Sequence, residues 1–246
     1  KTVSDLKTDI ITIVSHQLRT PVTSMRWGLS LMLQGTYGRF KREQTDALEQ
    51  LYHNTLDTIS MINRLLDISR LEKGQLTFER FSVDIVQLIQ EALKAMEPLS
   101  AKKRIVISFF PPFDHLILHA DKERLYNVIE IVLDNAIKYS DPIKTIKIQL
   151  VKTQFTGEQE YYAEVVKKRD GVKLSVIDQG LGISKEDSEK IFTKFFRGKN
   201  ATTFETSGLG IGLAYAKSLV SLHKGKIEVT SKLRRGTRVD IYLPID

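Results

Sequence analysis

The sequence contains no cysteine among its 246 residues. This absence excludes disulfide bonds and thiolate metal sites, and it suits a reducing compartment such as the cytosol. Long apolar runs are also missing: the stretch 126–136 is interrupted by polar residues well short of the ~20 residues that cross a bilayer. We therefore expect a folded chain without a membrane span or signal peptide, located in the cytoplasm.

Two common nucleotide-binding signatures are absent as well. No glycine pair has the spacing of the Gly-x-x-x-x-Gly-Lys P-loop, and Gly208-x-Gly210 is followed by Leu213 where a dinucleotide fingerprint requires a third glycine. The sequence has no groove-reading motif and no basic run interleaved with aromatic residues. The net charge of +7 therefore favours an acidic partner or a polyanionic ligand, and we predict no nucleic-acid partner.

The first third of the chain has the pattern of two long helices. Apolar residues recur at spacings of three and four from Val3 onward and continue past Pro21, which should kink the helix without ending it. A glycine-containing turn at 34–41 precedes a second helix that stops near Gly74, a suitable C-cap. A two-helix hairpin cannot bury so broad an apolar stripe alone, which predicts a homodimer that forms a four-helix bundle.

After this hairpin the pattern changes, which predicts two domains, 1–76 and 77–246. Helices and strands follow in mixed order without regular alternation, so an α+β sandwich fits the second domain better than a doubly wound sheet. Asp121 is the expected N-cap of one helix. The expected helices are 84–101, 122–139 and 209–223, and the expected strands are 105–110, 116–120, 145–152, 172–178, 226–231 and 237–243.

The most distinctive histidine lies in Ser-His-Gln-Leu-Arg-Thr-Pro on the first helix. Thr12, His16 and Thr20 are spaced four apart and share one polar face, so the imidazole of His16 should be exposed. A neutral imidazole nitrogen can attack phosphorus without a strong base. A lone helical histidine is usually just solvated, and that interpretation applies to the other four histidines. These are His53, His115, His119 and His223.

Asn135, Lys138 and Tyr139 share a face near the end of a predicted helix. The amide oxygen of Asn135 is a ligand suited to Mg²⁺, and the ammonium of Lys138 can neutralise phosphate oxygens. Taken alone, such residues near a helix C-terminus are equally consistent with caps and solvated charges.

Two glycine-rich segments follow. Asp178-Gln-Gly-Leu-Gly-Ile183 comes directly after a strand, where a carboxylate can accept a hydrogen bond from an adenine amino group, although the pattern is also that of a common turn. The segment from Gly208 to Leu213 enters a helix whose unobstructed backbone amides suit a triphosphate, although it could equally be a tight helix start.

Taken in chain order, these segments and Phe192-x-x-Phe-Phe-Arg197 resemble the phosphotransfer hairpin and Bergerat-type ATPase domain of sensor histidine kinases, over nearly the whole chain. The resemblance implies that His16 is phosphorylated, that Gln17 and Thr20 assist, and that Thr20 orients water when the partner is dephosphorylated. It also implies that Asn135 binds Mg²⁺, and that the chain is cytoplasmic either alone or as the cytoplasmic part of a membrane receptor. The implied ATP-binding residues are Asn135, Lys138, Tyr139, Asp178, Gly180, Gly182, Ile183, Arg197, Gly208, Leu209, Gly210, Gly212, Leu213 and Thr237.

The function implied by this resemblance is ATP-dependent autophosphorylation of His16, followed by phosphoryl transfer to an aspartate of a response regulator, with phosphatase activity as a further capacity. Three departures leave alternatives open. Gln17 replaces the family's usual acid, Ile131 replaces a frequent Asn, and 152–171 is longer than the usual hairpin and carries two tyrosines. The alternatives are a nucleotide-binding pseudokinase or dimeric scaffold, and an ATPase that only hydrolyses ATP.

Overall fold

The computed structural model describes residues 3–156, 168–204 and 208–245, with the side chains of 3–11 and of His16 left out. The exposure predicted for the His16 ring therefore lies outside the description, as do the tyrosines Tyr161 and Tyr162 of the long hairpin. The chain divides into two compact units, Lys1–Thr77 and Phe78–Asp246. No helix in the described part of the chain combines the length and the apolar character that crossing a membrane requires.

The first unit is an antiparallel pair of helices, α1 (Val3–Leu33) and α2 (Arg42–Glu72). As predicted, α1 continues through Pro21. The connecting turn contains Gly35 and Gly38 at φ values of 79° and 102°, a left-handed conformation that glycine adopts without the steric penalty of a side chain. The glycine content of this segment therefore explains why the chain can reverse here.

The core of the first unit lies toward the end of α2. Ile62 and Leu66 are almost completely buried, and they come from the apolar stripe that the sequence predicted. The helix stops where expected, because Gly74 follows the C-cap with φ 64° and its amide donates to the carbonyl of Leu71.

The second unit contains helices and two antiparallel or mixed sheets. Its helices are α3 (Ile85–Lys102), α4 (Lys122–Lys138), the short α5 (Lys185–Ser188) and α6 (Lys199–Phe204), and α7 (Gly212–Leu222). Its strands are β1 (Phe81–Asp84), β2 (Val106–Phe109), β3 (Ile117–Ala120), β4 (Thr145–Phe155), β5 (Arg169–Ile177), β6 (Lys226–Lys232) and β7 (Gly236–Pro244).

The main sheet has the strand order β2-β4-β5-β7-β6, in which β2 and β4 are parallel and the other neighbours antiparallel. Its register places Ile148, Val176 and Val239 side by side, and all three are buried. Strands of period two present such rows to one face, and α3, α4 and α7 pack against this sheet. The second unit is thus the predicted α+β sandwich, preceded by a helical hairpin.

Local signals placed most elements, but the short helices α5 and α6 were not predicted, because four and six residues are too few to show a helical period. Asp121 caps α4 as predicted, since its Oδ1 accepts from the amide of Arg124 at 3.0 Å. Strand β1 was missed because only four residues pair with the distant β3. The predicted helix start at Leu209 is wrong: Gly210 has φ 69°, which no right-handed helix allows, so α7 begins at Gly212.

Candidate nucleotide and phosphoacceptor sites

The histidine segment of the first unit occupies the middle of α1. Ser15 is buried, whereas Gln17 and Thr20 are exposed. Thr12, predicted to lie on a free polar face, instead contacts α2, with its Oγ1 2.7 Å from the Ser69 Oγ. The polar face is therefore divided: its first member packs inside the hairpin, and its last member, one turn beyond His16, faces solvent.

The guanidinium of Arg19 also links α1 to α2 near this segment. Arg19 donates from Nη2 to the Oδ1 of Asn63 at 2.8 Å. The hydrogen bond crosses from α1 to α2 three residues after His16. The backbone of the predicted phosphoacceptor segment is therefore held against α2 on both sides of His16.

In the second unit, the residues predicted to bind phosphate and metal lie at the C-terminal end of α4. Asn135, Lys138 and Tyr139 are all half-buried, and Tyr139 is the C-cap, with its amide donating to the carbonyl of Asn135. The Lys138 Nζ lies 2.8 Å from the Oδ2 of Asp134. The described side chains offer the Asn135 amide no hydrogen bond, so its oxygen is available to a ligand.

Asp178 follows the end of β5, and the residue is 9% exposed. Its Oδ1 accepts two backbone hydrogen bonds, from Gly180 N at 2.9 Å and from Thr237 N at 3.0 Å. No described residue donates to Oδ2. Burial raises the pKa of the Asp178 carboxyl above its ordinary value, and the two amide hydrogen bonds only partly offset that effect. One oxygen is thus fixed by the fold, and the other is left as an acceptor.

Three glycines allow the backbone to pack tightly around this carboxylate. A Cβ at Gly180 would overlap the Tyr139 carbonyl, and one at Gly236, where φ is 93°, would overlap the carbonyl of Asp178 itself. At Gly182, with φ 67°, it would overlap the Lys232 carbonyl. Such close approaches exclude any side chain at these positions.

A hydrogen-bond network joins the Asp178 loop to its surroundings. Leu181 N donates to the Tyr139 carbonyl at 2.9 Å, which ties the loop to the end of α4. Ile183 N donates to the Ser231 Oγ at 2.8 Å, and that hydroxyl lies 2.9 Å from the Thr237 Oγ1. The structure therefore brings together the predicted residues of the asparagine segment, the first glycine segment and Thr237. Sequence reasoning missed Ser231 and Gly236, whose contribution depends on the pairing of β6 with β7.

The second glycine segment is anchored at its beginning. Arg197 donates from Nη1 to the Gly208 carbonyl at 3.0 Å, and Phe195 N donates to the Gly210 carbonyl at 3.0 Å. A Cβ on Gly210 would overlap the carbonyl of Phe196. Residues 205–207, which precede this segment, lie outside the described part of the chain.

Where this segment enters α7, it meets α4. Gly212 is so close to the Ile131 side chain that an added Cβ would lie 3.3 Å from Cγ2. Ile131 is 2% exposed, which explains why an apolar residue is tolerated there, whereas an Asn would be buried in apolar surroundings. Leu209 is exposed, and Leu213 is half-buried in the first turn of α7.

One histidine differs from its predicted role. His223 is 3% exposed and not solvated: its Nδ1 lies 2.8 Å from the Leu219 carbonyl, and its Nε2 accepts from Asp121 N at 3.1 Å. Burial lowers the pKa of this imidazole. His223 is therefore a structural link between the end of α7 and the start of α4, whereas His53, His115 and His119 are exposed.

Comparison with known families agrees with both halves of this description. Residues 120–246 match the family described as Histidine kinase-, DNA gyrase B-, and HSP90-like ATPase, and residues 6–74 match the His Kinase A (phospho-acceptor) domain. The first match covers just over half of the chain.

Individual relatives are similar along nearly the whole chain. The sensor histidine kinase WalK of Bacillus subtilis (strain 168) is 29% identical over 236 residues, which are 96% of this chain and 36% of WalK. The sensor protein RprX of Bacteroides fragilis (strain YCH46) is 24% identical over 245 residues, or 100% of this chain and 45% of RprX. The chain thus spans less than half the length of these relatives.

A solved structure has the same fold. The crystal structure of full-length ShkA in complex with AMPPNP has a TM-score of 0.69 and 22% identity, over 96% of this chain and 45% of ShkA. The chain therefore belongs to the histidine kinase-, DNA gyrase B- and HSP90-like ATPase family, and it joins that ATPase domain to a His Kinase A phosphoacceptor domain as the catalytic core of a sensor histidine kinase does.

Proposed function

We propose that this chain is a protein-histidine kinase that transfers the γ-phosphoryl group of ATP to its own His16 and then to an aspartate of a response regulator. The observation that carries the proposal is the Asp178 carboxylate, with Oδ1 held by two backbone amides and Oδ2 free of described donors. A single outward acceptor beside close-packed glycine backbone fits the exocyclic amino group of adenine. A guanine, which presents a carbonyl oxygen at that position, would be rejected.

The chemistry proceeds by two in-line displacements. A nitrogen lone pair of neutral His16 forms a bond to the γ-phosphorus, while the bond from that phosphorus to the bridging oxygen breaks and ADP leaves with the electron pair. In the second step a carboxylate oxygen of the response regulator attacks the same phosphorus, the phosphorus–nitrogen bond breaks with its electron pair kept by His16, and the imidazole ring regains a proton from water. Because Gln17 has no basic atom, the remaining ring proton must be released to water. The exposed Thr20, one helical turn away, is suited to orient water for the phosphatase reaction.

The donor set fits a Mg²⁺ ion that is shared with the nucleotide. No group of three or more His, Asp or Glu residues that could hold a metal alone is found in the described part of the chain. A half-buried amide oxygen at Asn135 supplies one ligand of the kind that Mg²⁺ uses together with phosphate oxygens. When bound, the ion would neutralise charge on the phosphates. Lys138, now paired with Asp134, would contribute a second positive charge to the same phosphates.

The glycine segment at the start of α7 completes the proposed nucleotide site. Gly208 lies in open space, whereas Gly210 and Gly212 let the chain pass close to Phe196 and Ile131 as it enters the first turn of the helix, where backbone amides favour anions. The hydrogen bond from Arg197 to Gly208 holds the beginning of this segment. We propose that the described part of this segment, from Gly208 to Gly212, lies against the phosphates of bound ATP.

The first unit is proposed to dimerise into a four-helix bundle. Its helices expose large apolar side chains that a monomeric hairpin leaves in water, and a second copy would cover them. These side chains are Ile13, Val14, Leu18, Met25, Trp27, Met32 and Leu51. The response regulator would dock on the same bundle close to His16.

Labelling with ATP tests this function. The purified chain, incubated with γ-labelled ATP and Mg²⁺, should gain label that is lost in acid and kept in alkali, as a phosphoramidate is. His16→Ala should abolish the label without changing ADP binding, whereas His53→Ala, which removes another exposed histidine of the same hairpin, should label normally. Nucleotide binding without any label would instead favour the pseudokinase, and acid-stable label or label retained by His16→Ala would refute the assignment.

A further inference from the structure

Lys103, directly after the last residue of α3, places its ammonium group at the end of another helix. Its Nζ donates to three backbone carbonyls: Lys138 at 2.6 Å, Ile137 at 3.0 Å and Ser140 at 3.3 Å. All three belong to the C-terminal turn of α4 and the residues that follow. The side chain is half-buried, so these hydrogen bonds are partly shielded from water.

These hydrogen bonds replace the usual C-terminal cap of a helix. The last four carbonyls of an α-helix lack helical partners, and many helices satisfy them with a left-handed glycine. Helix α4 has Tyr139 as its C-cap instead, with φ −93° and ψ 5°. A cation at this position satisfies the free carbonyls and interacts favourably with the helix dipole. Lys103 therefore takes the place of the missing glycine cap.

The backbone of Lys103 holds the same turn from its other end. Its carbonyl accepts a hydrogen bond from Ile143 N at 3.1 Å, although Ile143 has an unfavourable φ of 64°. The turn between α4 and β4 is thus fixed at 137–140 by the side chain and at 143 by the main chain. The Asp178 loop packs against this turn, because Leu181 N donates a hydrogen bond to the carbonyl of Tyr139.

The same ammonium also lies beside the short helix α6. The Lys103 Nζ lies 5.7 Å from the centre of the Phe204 ring, within the range of a cation–π interaction. Phe204 is the last residue of α6, and it is 40% exposed. One cation therefore touches both the helix that carries Asn135 and Lys138 and the short helix α6.

We propose that Lys103 is a positioning residue for nucleotide binding, which holds the end of α4 in its binding geometry and retains α6 beside it through Phe204. The inference rests on the proposed kinase function. Lys103 acts through Lys138, Tyr139 and the Asp178 loop, and it does not itself contact the nucleotide. Loss of its ammonium should weaken the binding of ADP and of ATP alike, because the end of α4 is distorted before any phosphoryl transfer takes place.

The test compares Lys103→Met with Lys103→Arg and with Lys102→Met, which removes the neighbouring exposed lysine of α3. Calorimetry with Mg²⁺ and ADP should show binding about tenfold weaker in Lys103→Met, the factor expected for a charge at a helix end. Lys103→Arg should recover most of the affinity because it restores a cation with several donors. Lys102→Met should bind as the unmodified chain does.

Kinetics separate positioning from simple loss of folded protein. Lys103→Met should raise KM for ATP and leave the labelling rate at saturating ATP nearly unchanged. A smaller folded fraction would instead lower the labelling rate at saturating ATP and leave KM unchanged. Phe204→Leu, at a half-exposed position, tests the second contact even if Lys103→Met does not fold. It should accelerate amide hydrogen exchange in 199–204 without doing so in 137–140.

The outcomes are distinguishable. If the unmodified chain does not bind ADP, the proposed function fails. If it binds ADP but Lys103→Met matches Lys102→Met, or Lys103→Arg is as weak as Lys103→Met, Lys103 has no positioning role through its charge. Unchanged exchange in Phe204→Leu would remove the link to α6.

Discussion

The substitution Asp178→Asn should weaken nucleotide binding without weakening the fold. Asn has nearly the same shape as Asp, and its amide oxygen can keep the two hydrogen bonds from Gly180 N and Thr237 N. The second oxygen, which no described residue contacts, becomes an NH₂ group. The change therefore replaces an ionised acceptor by a donor only at the atom proposed to face the adenine amino group.

The size of the effect follows from the lost interaction. A hydrogen bond to a charged group contributes about 1.5–3 kcal/mol, which corresponds to a loss of affinity of roughly 10- to 150-fold. In Asp178→Asn the new NH₂ group would face the amino group of adenine, and two donors repel, so the expected loss of affinity lies toward the upper end of that range. A residue that only supported the fold would not produce this loss, since both backbone hydrogen bonds remain.

The stability of the unliganded protein should change in the opposite direction. Burial raises the pKa of Asp178 in the folded state above its unfolded value, so the ionised form is disfavoured by folding. The stability that this carboxyl contributes is fully present below the unfolded pKa and is lost as pH rises through the folded pKa. At neutral pH, Asp178→Asn should therefore unfold at the same or a higher urea concentration than the unmodified chain, and this advantage should disappear in acid.

Calorimetry with ADP and urea unfolding at neutral and acidic pH measure both effects. Asp170→Asn, an exposed position on the same strand, is the matched control and should change neither. If Asp178→Asn binds ADP as tightly as the control does, Asp178 does not recognise the base. If it binds weakly but also unfolds more easily than the unmodified chain, the loss reflects folding and the proposed recognition is unsupported.

Three further predictions concern other positions. In urea titrations, Gly236→Ala should lower the free energy of unfolding by on the order of 3 kcal/mol, because the added Cβ would overlap backbone atoms. Gly208 is equally left-handed but lies in open space, so Gly208→Ala should lower it by only about 1–2 kcal/mol. Equal losses in the two variants would contradict the steric explanation. Gln17→Glu should raise the initial rate of phosphoryl labelling at least about tenfold if the missing base is limiting, and an unchanged rate would show that it is not. Asp84 raises the pKa of His115 through a hydrogen bond, so an NMR titration of His115 should have its midpoint above 6.5, and Asp84→Asn should lower that midpoint. The stability that this pair contributes is fully present below the pKa of His115 in the unfolded chain and is lost as pH rises through its pKa in the folded protein.

Sequence patterns located the elements whose signals are local. The periodicity and the cap at Asp121 are contained within one stretch of chain, and α4 forms where they indicated. The start of α7 was misplaced because Gly210 adopts a positive φ where its backbone approaches Phe196 and accepts a hydrogen bond from Phe195 N, and no local pattern reveals this approach. Strand β1 exists only through its pairing with β3, and such distant pairing is not encoded in four residues.

The same distinction applies to the candidate site. Asn135 and Asp178 belong to motifs with a fixed local spacing, so the sequence could suggest them, and their individual roles remain predictions. Lys103, Ser231 and Gly236 act through contacts with residues far along the chain. Their neighbours become known only when the strands and helices have been placed in space.

The most direct test of the central claim is to locate the phosphoryl group. Mass spectrometry of peptides, kept alkaline after incubation with ATP and Mg²⁺, should find one phosphoryl group on His16 and none on the buried Ser15 or on Thr20. A phosphoryl group on a hydroxyl of this segment, or an unmodified His16 in a chain that consumes ATP, would contradict the account.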